Sequence, residues 1–368
     1  MQITCQRQPL LDAATSVQRA VSTKSSIPAL EGILLETREG ELSLSGFDLE
    51  LGIVTSIEAT VQEEGALVVS ARLFVDIIRK MDSDNVSIQT DEKNLIIIQG
   101  GQAEFSIMGT PAAEFAELPS LKDGTEVTLP QNLLAGMLRQ TLFAVAQTDN
   151  KPIYTGVLFE LEQNLIRLVA LDGYRLAIRE EPVTVDSNFR FVAPGKTLSE
   201  VLRLLGDDDQ PVTITVGTRH IFFSINRYSV VSRLLDGEFL DYKKSVPQGG
   251  NTQVRVKTRA LIDSIERASL LISDRLKSPV RCIFEEDEIR ISCVTTAGKV
   301  RDQVEASLEG DRVEIGFNHK YLLDALRASE SDEVRVVLSG PVAPMKVLPV
   351  EGEHFLFLVL PVRLKNEI

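Results

Sequence analysis

The feature that most constrains this chain is one helix written three times. In the stretch 194–205, Leu198, Val201, Leu202 and Leu205 recur at the helical period and form one apolar stripe, with Lys196, Glu200 and Arg203 on the opposite side. The same phase appears 124 positions earlier as Arg72, Asp76 and Arg79 over Phe74, Ile77, Ile78 and Met81, and 124 positions later as Lys320, Asp324 and Arg327 over Leu322, Ala325 and Leu326. Other residues keep the spacing: Pro28 and Pro152, Gly32 and Gly156, Asp48 and Asp172, Glu114-Phe115 and Glu238-Phe239, with Pro279 following a short insertion in the third copy. Solenoid repeats run to about 20–50 residues. A unit of 124 residues is long enough to bury its own core. Three domains are therefore expected, at 1–124, 125–248 and 249–368, joined by linkers at 118–125 and 246–252 where Pro and Gly interrupt the periodicity.

Each copy reads as strand, helix, strands, helix, strands. In the first, a strand at 1–6 leads into a helix at 10–17, with Pro9 suited to its first turn. Strands follow at 33–36, 41–45, 51–59 and 66–70, then a helix at 72–81 and a meander at 86–90, 94–99 and 104–108. The second copy restarts at 126–129 with a helix at 133–146. The third has a helix at 259–272 and ends on a strand at 354–360. The fold class is α+β, an antiparallel sheet covered on one face by two helices per copy.

Charge narrows the function. With 39 basic against 53 acidic residues the net charge is −14, which excludes holding nucleic acid by bulk attraction. A nucleic-acid role must rest on cations gathered on one surface, and the repeated helix supplies them: Arg72 and Arg79, Lys196 and Arg203, Lys320 and Arg327. Evenly spaced cations can follow a duplex, which presents one phosphate charge per about 1.7 Å of axis. No aromatic is interleaved with them and the chain has no Trp, so base stacking on single strands is not expected.

The search for catalytic chemistry is negative. His220, His319 and His354 lie in unrelated settings. Pro194-Gly195-Lys196-Thr197 resembles the tail of a phosphate-binding loop, but that motif needs Gly where Arg190 stands. Asp207-Asp208-Asp209 reads as a solvated turn. No metal site and no cofactor is expected. Cys5, Cys282 and Cys293 have neither metal-like nor redox-like spacing and cannot all pair within one chain. With no leader-like start and no apolar run of membrane length, these cysteines point to a reducing, cytoplasmic setting.

Several motifs then fall in a familiar order: Val69-Ser70-Ala71-Arg72, Asp172-Gly173-Tyr174-Arg175-Leu176, Leu235-Asp236-Gly237-Glu238-Phe239 with Asp241-Tyr242, Gly316-Phe317-Asn318 and Leu360-Pro361-Val362-Arg363-Leu364. Over essentially the whole length the chain resembles the bacterial DNA polymerase III beta subunits, the replicative sliding clamps. The resemblance implies a non-catalytic processivity factor, a head-to-tail homodimer of six alike domains closed into a ring, with sheets outside and helices lining a hole for double-stranded DNA. It implies as partners the replicative polymerase catalytic subunit, the clamp loader and other clamp-binding replication and repair proteins. It puts Lys24 and, through the loop 148–152, Lys151 against DNA at the ring face. It maps a partner-peptide pocket onto Leu171, Gly173, Tyr174, Arg175, Leu176, Leu240, Lys244, Val342, Leu358 and Leu360. In that pocket Leu176, Leu240, Leu358 and Leu360 form the wall, Gly173 is a point of close backbone approach, and Arg175 and Lys244 form a polar rim. The family commonly has Thr before Asp-Gly and Pro after the Phe of Asp-Gly-x-Phe. Leu171 and Leu240 depart from this, which changes the pocket's shape but not its apolar character. The dimer interface maps onto Phe105 and Ile107 on one side and Leu271 and Ile272 on the other. The competing reading is a three-domain adaptor that binds peptides in the same groove and never encircles DNA.

Overall fold

A computed structural model describes residues 1–120, 123–148, 150–162, 164–184, 188–273 and 278–364. Among them are six α-helices, two for each sequence repeat: α1 Arg7–Val17, α2 Ala71–Lys80, α3 Gln131–Leu142, α4 Gly195–Leu204, α5 Thr258–Ser269 and α6 His319–Ala328. Each follows closely on a strand, α2 directly after Ala66–Ser70 and α6 after Val313–Phe317 with Asn318 between them. In α2 the buried face is Phe74, Val75, Ile77 and Ile78. In α6 it is Leu322, Leu323, Ala325 and Leu326. A ten-residue helix is marginal alone in water, whereas each fully buried Leu, Ile or Phe contributes about 1.5–3 kcal/mol. The stripe, rather than intrinsic propensity, makes these segments helical.

The chain packs as two compact units, residues 1–135 with 196–234, and residues 136–195 with 235–368. The first unit holds two antiparallel sheets. A five-stranded one runs Thr60–Glu63, Gln2–Gln6, Asn85–Thr90, Leu95–Gly100, Ala103–Met108, leaving Ala103–Met108 at its edge. A nine-stranded one has Leu51–Glu58 paired with Tyr228–Arg233, Ile53 opposite Val230. Here α1 lies against α2 and on the strands Glu41–Phe47 and Leu51–Glu58. The second unit holds one twelve-stranded antiparallel sheet in which Arg175–Pro182 pairs with Phe355–Val359, Ala177 opposite Phe357. On it α5 packs against α6. Each large sheet is thus continuous across a repeat boundary. No helix among the described residues is long and apolar enough to cross a membrane.

The α+β architecture and the two helices per repeat match expectation, but several element ends do not. The helix expected at 133–146 is Gln131–Leu142: the Thr141 hydroxyl donates back to the Met137 carbonyl, and the Ala146 N–H goes to the Tyr154 carbonyl. The helix expected at 259–272 stops at Ser269, so Leu271 and Ile272 lie beyond it in a turn closed by Ile272 N–H to the Ser269 carbonyl. The strand Thr60–Glu63 has no counterpart in the expectation. It is polar and mostly exposed, and its backbone pairing with Gln2–Gln6 defines it. Residues 121, 122 and 149, within the first linker and the loop 148–152, and residues 274–277 before Pro279 lie outside the described residues.

Candidate partner surface and cationic helix faces

The most developed site lies in the second unit, at the turn after the strand Leu165–Leu171. Asp172 shapes it: its Oδ1 accepts from the N–H of Tyr174 at 2.8 Å and of Arg175 at 3.0 Å. Gly173 adopts φ +89°, and a Cβ there would meet nothing within 4 Å. The left-handed φ by itself favours glycine at this turn. The first repeat builds the same turn at Asp48, which accepts from Glu50 and Leu51 N–H while Leu49 takes φ +75°.

Arg175, expected on the rim, is buried instead. Its Nε donates to Asp172 Oδ2 at 3.0 Å and its Nη1 to Asp324 Oδ2 on α6 at 2.5 Å. The guanidinium carbon lies 4.8 Å from the Tyr321 ring centroid and 5.5 Å from that of Phe143. A planar cation that bridges two carboxylates and stacks on rings fixes the turn on the helix. Tyr321 in turn stacks on Tyr174 at 5.7 Å. Burial and then the Asp172 charge raise the Tyr321 pKa, so its hydroxyl stays neutral.

Beneath the turn, Leu171, Leu176 and Leu358 belong to a buried cluster with Phe239 and Tyr242, against which Tyr154 packs. They form the floor rather than an accessible wall. The Tyr242 hydroxyl donates to Glu160 Oε2 at 2.6 Å, and Arg167 and Arg190 flank that carboxylate. Burial first, then the Glu160 hydrogen bond, raises the Tyr242 pKa. The accessible apolar residues are Tyr174 (60% exposed), Leu240 (43%), Val342 (80%) and Leu360 (38%). The Leu360 N–H donates to the Tyr174 carbonyl at 2.9 Å, which holds these two together. Val342 lies on the turn before Met345–Pro349, whose Met345 stands opposite Val359. Lys244 is exposed, 2.9 Å from Asp241.

The repeated cations are all exposed, yet most have local acids. Arg79 pairs with Asp76 at 2.8 Å, Arg203 with Glu200 at 2.6 Å, Arg327 with Glu266 at 2.7 Å and Lys196 with Asp48 at 2.5 Å. Lys24 and Lys151 are exposed on loops, Lys151 with its ammonium 5.3 Å from the Tyr154 ring centroid. Phe105 and Ile107 lie on the edge strand Ala103–Met108, and Leu271 and Ile272 are half-buried after α5.

Sequence reasoning missed Tyr321, Asp324 as the partner of Arg175, Phe143, the Tyr242–Glu160 bond and the exposed Met108 and Leu270. The pairs Arg175–Asp324 and Tyr174–Tyr321 join residues far apart in the chain, and no local spacing signals them. Met108 and Leu270 carried a weak signal, being apolar residues next to the expected interface positions.

The comparisons agree along the whole chain. Family models of the DNA polymerase III beta subunit match its N-terminal domain to residues 1–119, its central domain to 128–241 and its C-terminal domain to 243–363. The beta sliding clamp of Bacillus subtilis is 33% identical over 376 residues, covering 99% of this chain and 100% of that one. The crystal structure of the DNA polymerase sliding clamp from Bacillus subtilis superposes with a TM-score of 0.95 at 32% identity, covering 99% of this chain and 100% of that one. A Pseudomonas aeruginosa sliding clamp solved bound to griselimycin gives 0.93 at 28% identity, with 99% of this chain and 100% of that one covered. By its three matched domains and its full-length relatives, the chain belongs to the DNA polymerase III beta subunit family, the beta sliding clamps.

Proposed function

We propose that the chain, a DNA sliding clamp with no reaction of its own, closes as a head-to-tail homodimer around double-stranded DNA. In this reading the repeats 1–124, 125–248 and 249–368 are its three domains, a division the matched family domains support. The observation that carries it is the exposure of cations at one phase of α2, α4 and α6 in a chain of net charge −14. Arg72, Arg79, Lys196, Arg203, Lys320 and Arg327, with Lys24 and Lys151, meet phosphates without reading sequence. The acids beside four of these cations keep each contact weak, as sliding requires, and topology retains the ring. The surface around Tyr174, Leu240, Val342 and Leu360 takes an extended partner peptide with apolar anchors, because such anchors dominate binding of this kind. The replicative polymerase, the clamp loader and repair proteins would compete there. Three buried free thiols fit a reducing cytoplasm.

The test is release. Loaded on a nicked circle, the clamp should dissociate within the time of linearisation and be retained when both ends are blocked. Retention on open linear DNA would favour an adaptor bound by affinity instead.

A further inference from the structure

The strands Tyr228–Arg233 and Thr252–Lys257 are joined by a long segment whose regular structure is the short turn Tyr242–Ser245. This segment carries Leu240 and Lys244 of the proposed partner surface, so whatever fixes it decides how that surface is presented. Lacking a ladder, it must be held largely by side chains. The Tyr242 hydroxyl on Glu160 holds its middle, and Val246 packs against the buried floor that contains Leu171, Leu176 and Leu358. Beyond Val246 the hold is Lys346. Its ammonium donates to the Pro247 carbonyl at 3.0 Å and to the Gly249 carbonyl at 2.6 Å.

The surroundings of Lys346 are arranged for this contact. It lies in the strand Met345–Pro349, opposite Val337 on one side and Leu358 on the other. Directly opposed residues share a sheet face, so its stem lies on the same face as the floor residue Leu358. Next to it the segment meets the sheet itself: a Cβ at Gly250 would overlap Cγ1 of Val337, and glycine allows that approach. Lys346 is only 9% exposed, which is unusual for a lysine. Burial lowers its pKa, and the Glu353 charge acts against this. Packing alone would be served better by an apolar side chain, because a desolvated ammonium is costly unless its donors are used.

We infer that Lys346 is a positioning residue for partner binding. By holding the Pro247 and Gly249 carbonyls it keeps the segment from Phe239 to Gly250 seated on the floor, with Leu240 presented to the partner. This rests on the reading of Tyr174, Leu240, Val342 and Leu360 as the partner surface, and it adds what keeps one side of that surface formed before a partner arrives. A segment free to leave the floor would be competent only for the fraction of time it is seated, and apparent affinity falls by that fraction.

The test uses the full chain and a short fluorescein-labelled peptide ending in Leu-Phe. Lys346→Met keeps the stem and removes both bonds. It should raise the peptide dissociation constant at least tenfold while the protein stays folded, and amide exchange should quicken across 246–250. Lys346→Arg, which still donates, should bind within threefold of the parent. If Lys346→Met does not fold, Lys346→Gln carries the same test with a smaller loss, because its amide keeps a donor. A folded Lys346→Met protein with parental affinity, or one whose affinity falls with no faster exchange across 246–250, overturns the positioning role. Leu360→Asp is measured beside it. Weakened binding by Leu360→Asp with parental binding by Lys346→Met overturns this inference alone, whereas parental binding by both overturns the partner surface as well.

Discussion

Arg175 holds two carboxylates and lies over two rings, so removing it leaves several groups without a partner at once. Arg175→Met should lower stability by about 2 kcal/mol, as hydrogen bonds to charged groups contribute about 1.5–3 kcal/mol each and Asp324 is partly solvated. Arg175→Lys should recover little, because an ammonium cannot bridge both acids; urea unfolding midpoints decide this. The exposed apolar residues behave differently. Val342→Asp or Leu360→Asp should weaken a fluorescent partner peptide at least tenfold with the melting temperature unchanged. Leu176→Asp should instead reduce the folded fraction, since Leu176 is part of the buried floor. Peptide affinity untouched by both exposed substitutions would move the site elsewhere. Protonation acts at the same scale. Burial, then Arg233 for His220 and Arg179 for His354, lowers both imidazole pKa values. The unfolded chain therefore binds protons first as pH falls below about 6.5, and stability falls from there down to the depressed folded values. His220→Asn with His354→Asn should flatten urea midpoints measured between pH 7 and pH 5.5.

At the scale of elements, the repeated helix carries its exposed cations on one face and its folding on the other. Arg79, Arg203 and Arg327 have acids to satisfy them, so their neutralisation removes less free positive charge than that of the loop and first-turn residues Lys24 and Arg72. Lys24→Gln with Arg72→Gln should reduce the slope of log affinity against log salt by up to about two phosphate equivalents, and Arg79→Gln by less. A loss of about one full phosphate equivalent for Arg79→Gln, the same per charge as for the double variant, would show that the ion pairs do not persist in the complex. The same helix explains what was legible beforehand. Its stripe and charge phase recur three times, so the helices, the α+β class and the cationic face could be read from periodicity. Helix ends could not, because at Leu142 and Ser269 they are decided by where carbonyls and N–H groups find partners. Nor could Thr60–Glu63, which is a strand only because Gln2–Gln6 lies beside it. The Asp172 turn was visible as Asp-Gly, but its tie to α6 through Arg175 joins residues from different repeats.

For the whole molecule, three repeats in sequence become two packing units, because each large sheet pairs a strand of one repeat with the closing strand of the next. Only Ala103–Met108, the closing strand of the first repeat, finds no such neighbour within the described chain. In the proposed ring, two such chains would meet head to tail in a heterologous contact that is made twice and closes. The apolar part of that contact can be weakened without disturbing either unit. Leu271 and Ile272 lie outside α5 and are half-buried, so Leu271→Ala with Ile272→Ala would trim the proposed contact while sparing the buried face of α5. The variant should sediment as a folded monomer at micromolar concentration. It should keep its affinity for the partner peptide, whose proposed contacts lie in other turns and loops, and lose retention on end-blocked DNA because a single chain cannot enclose a duplex. Retention by a protein shown to be monomeric would mean that binding energy rather than topology holds it, and the ring would have to be abandoned. A dimer of parental mass would instead leave the ring intact and move the apolar contact away from Leu271 and Ile272.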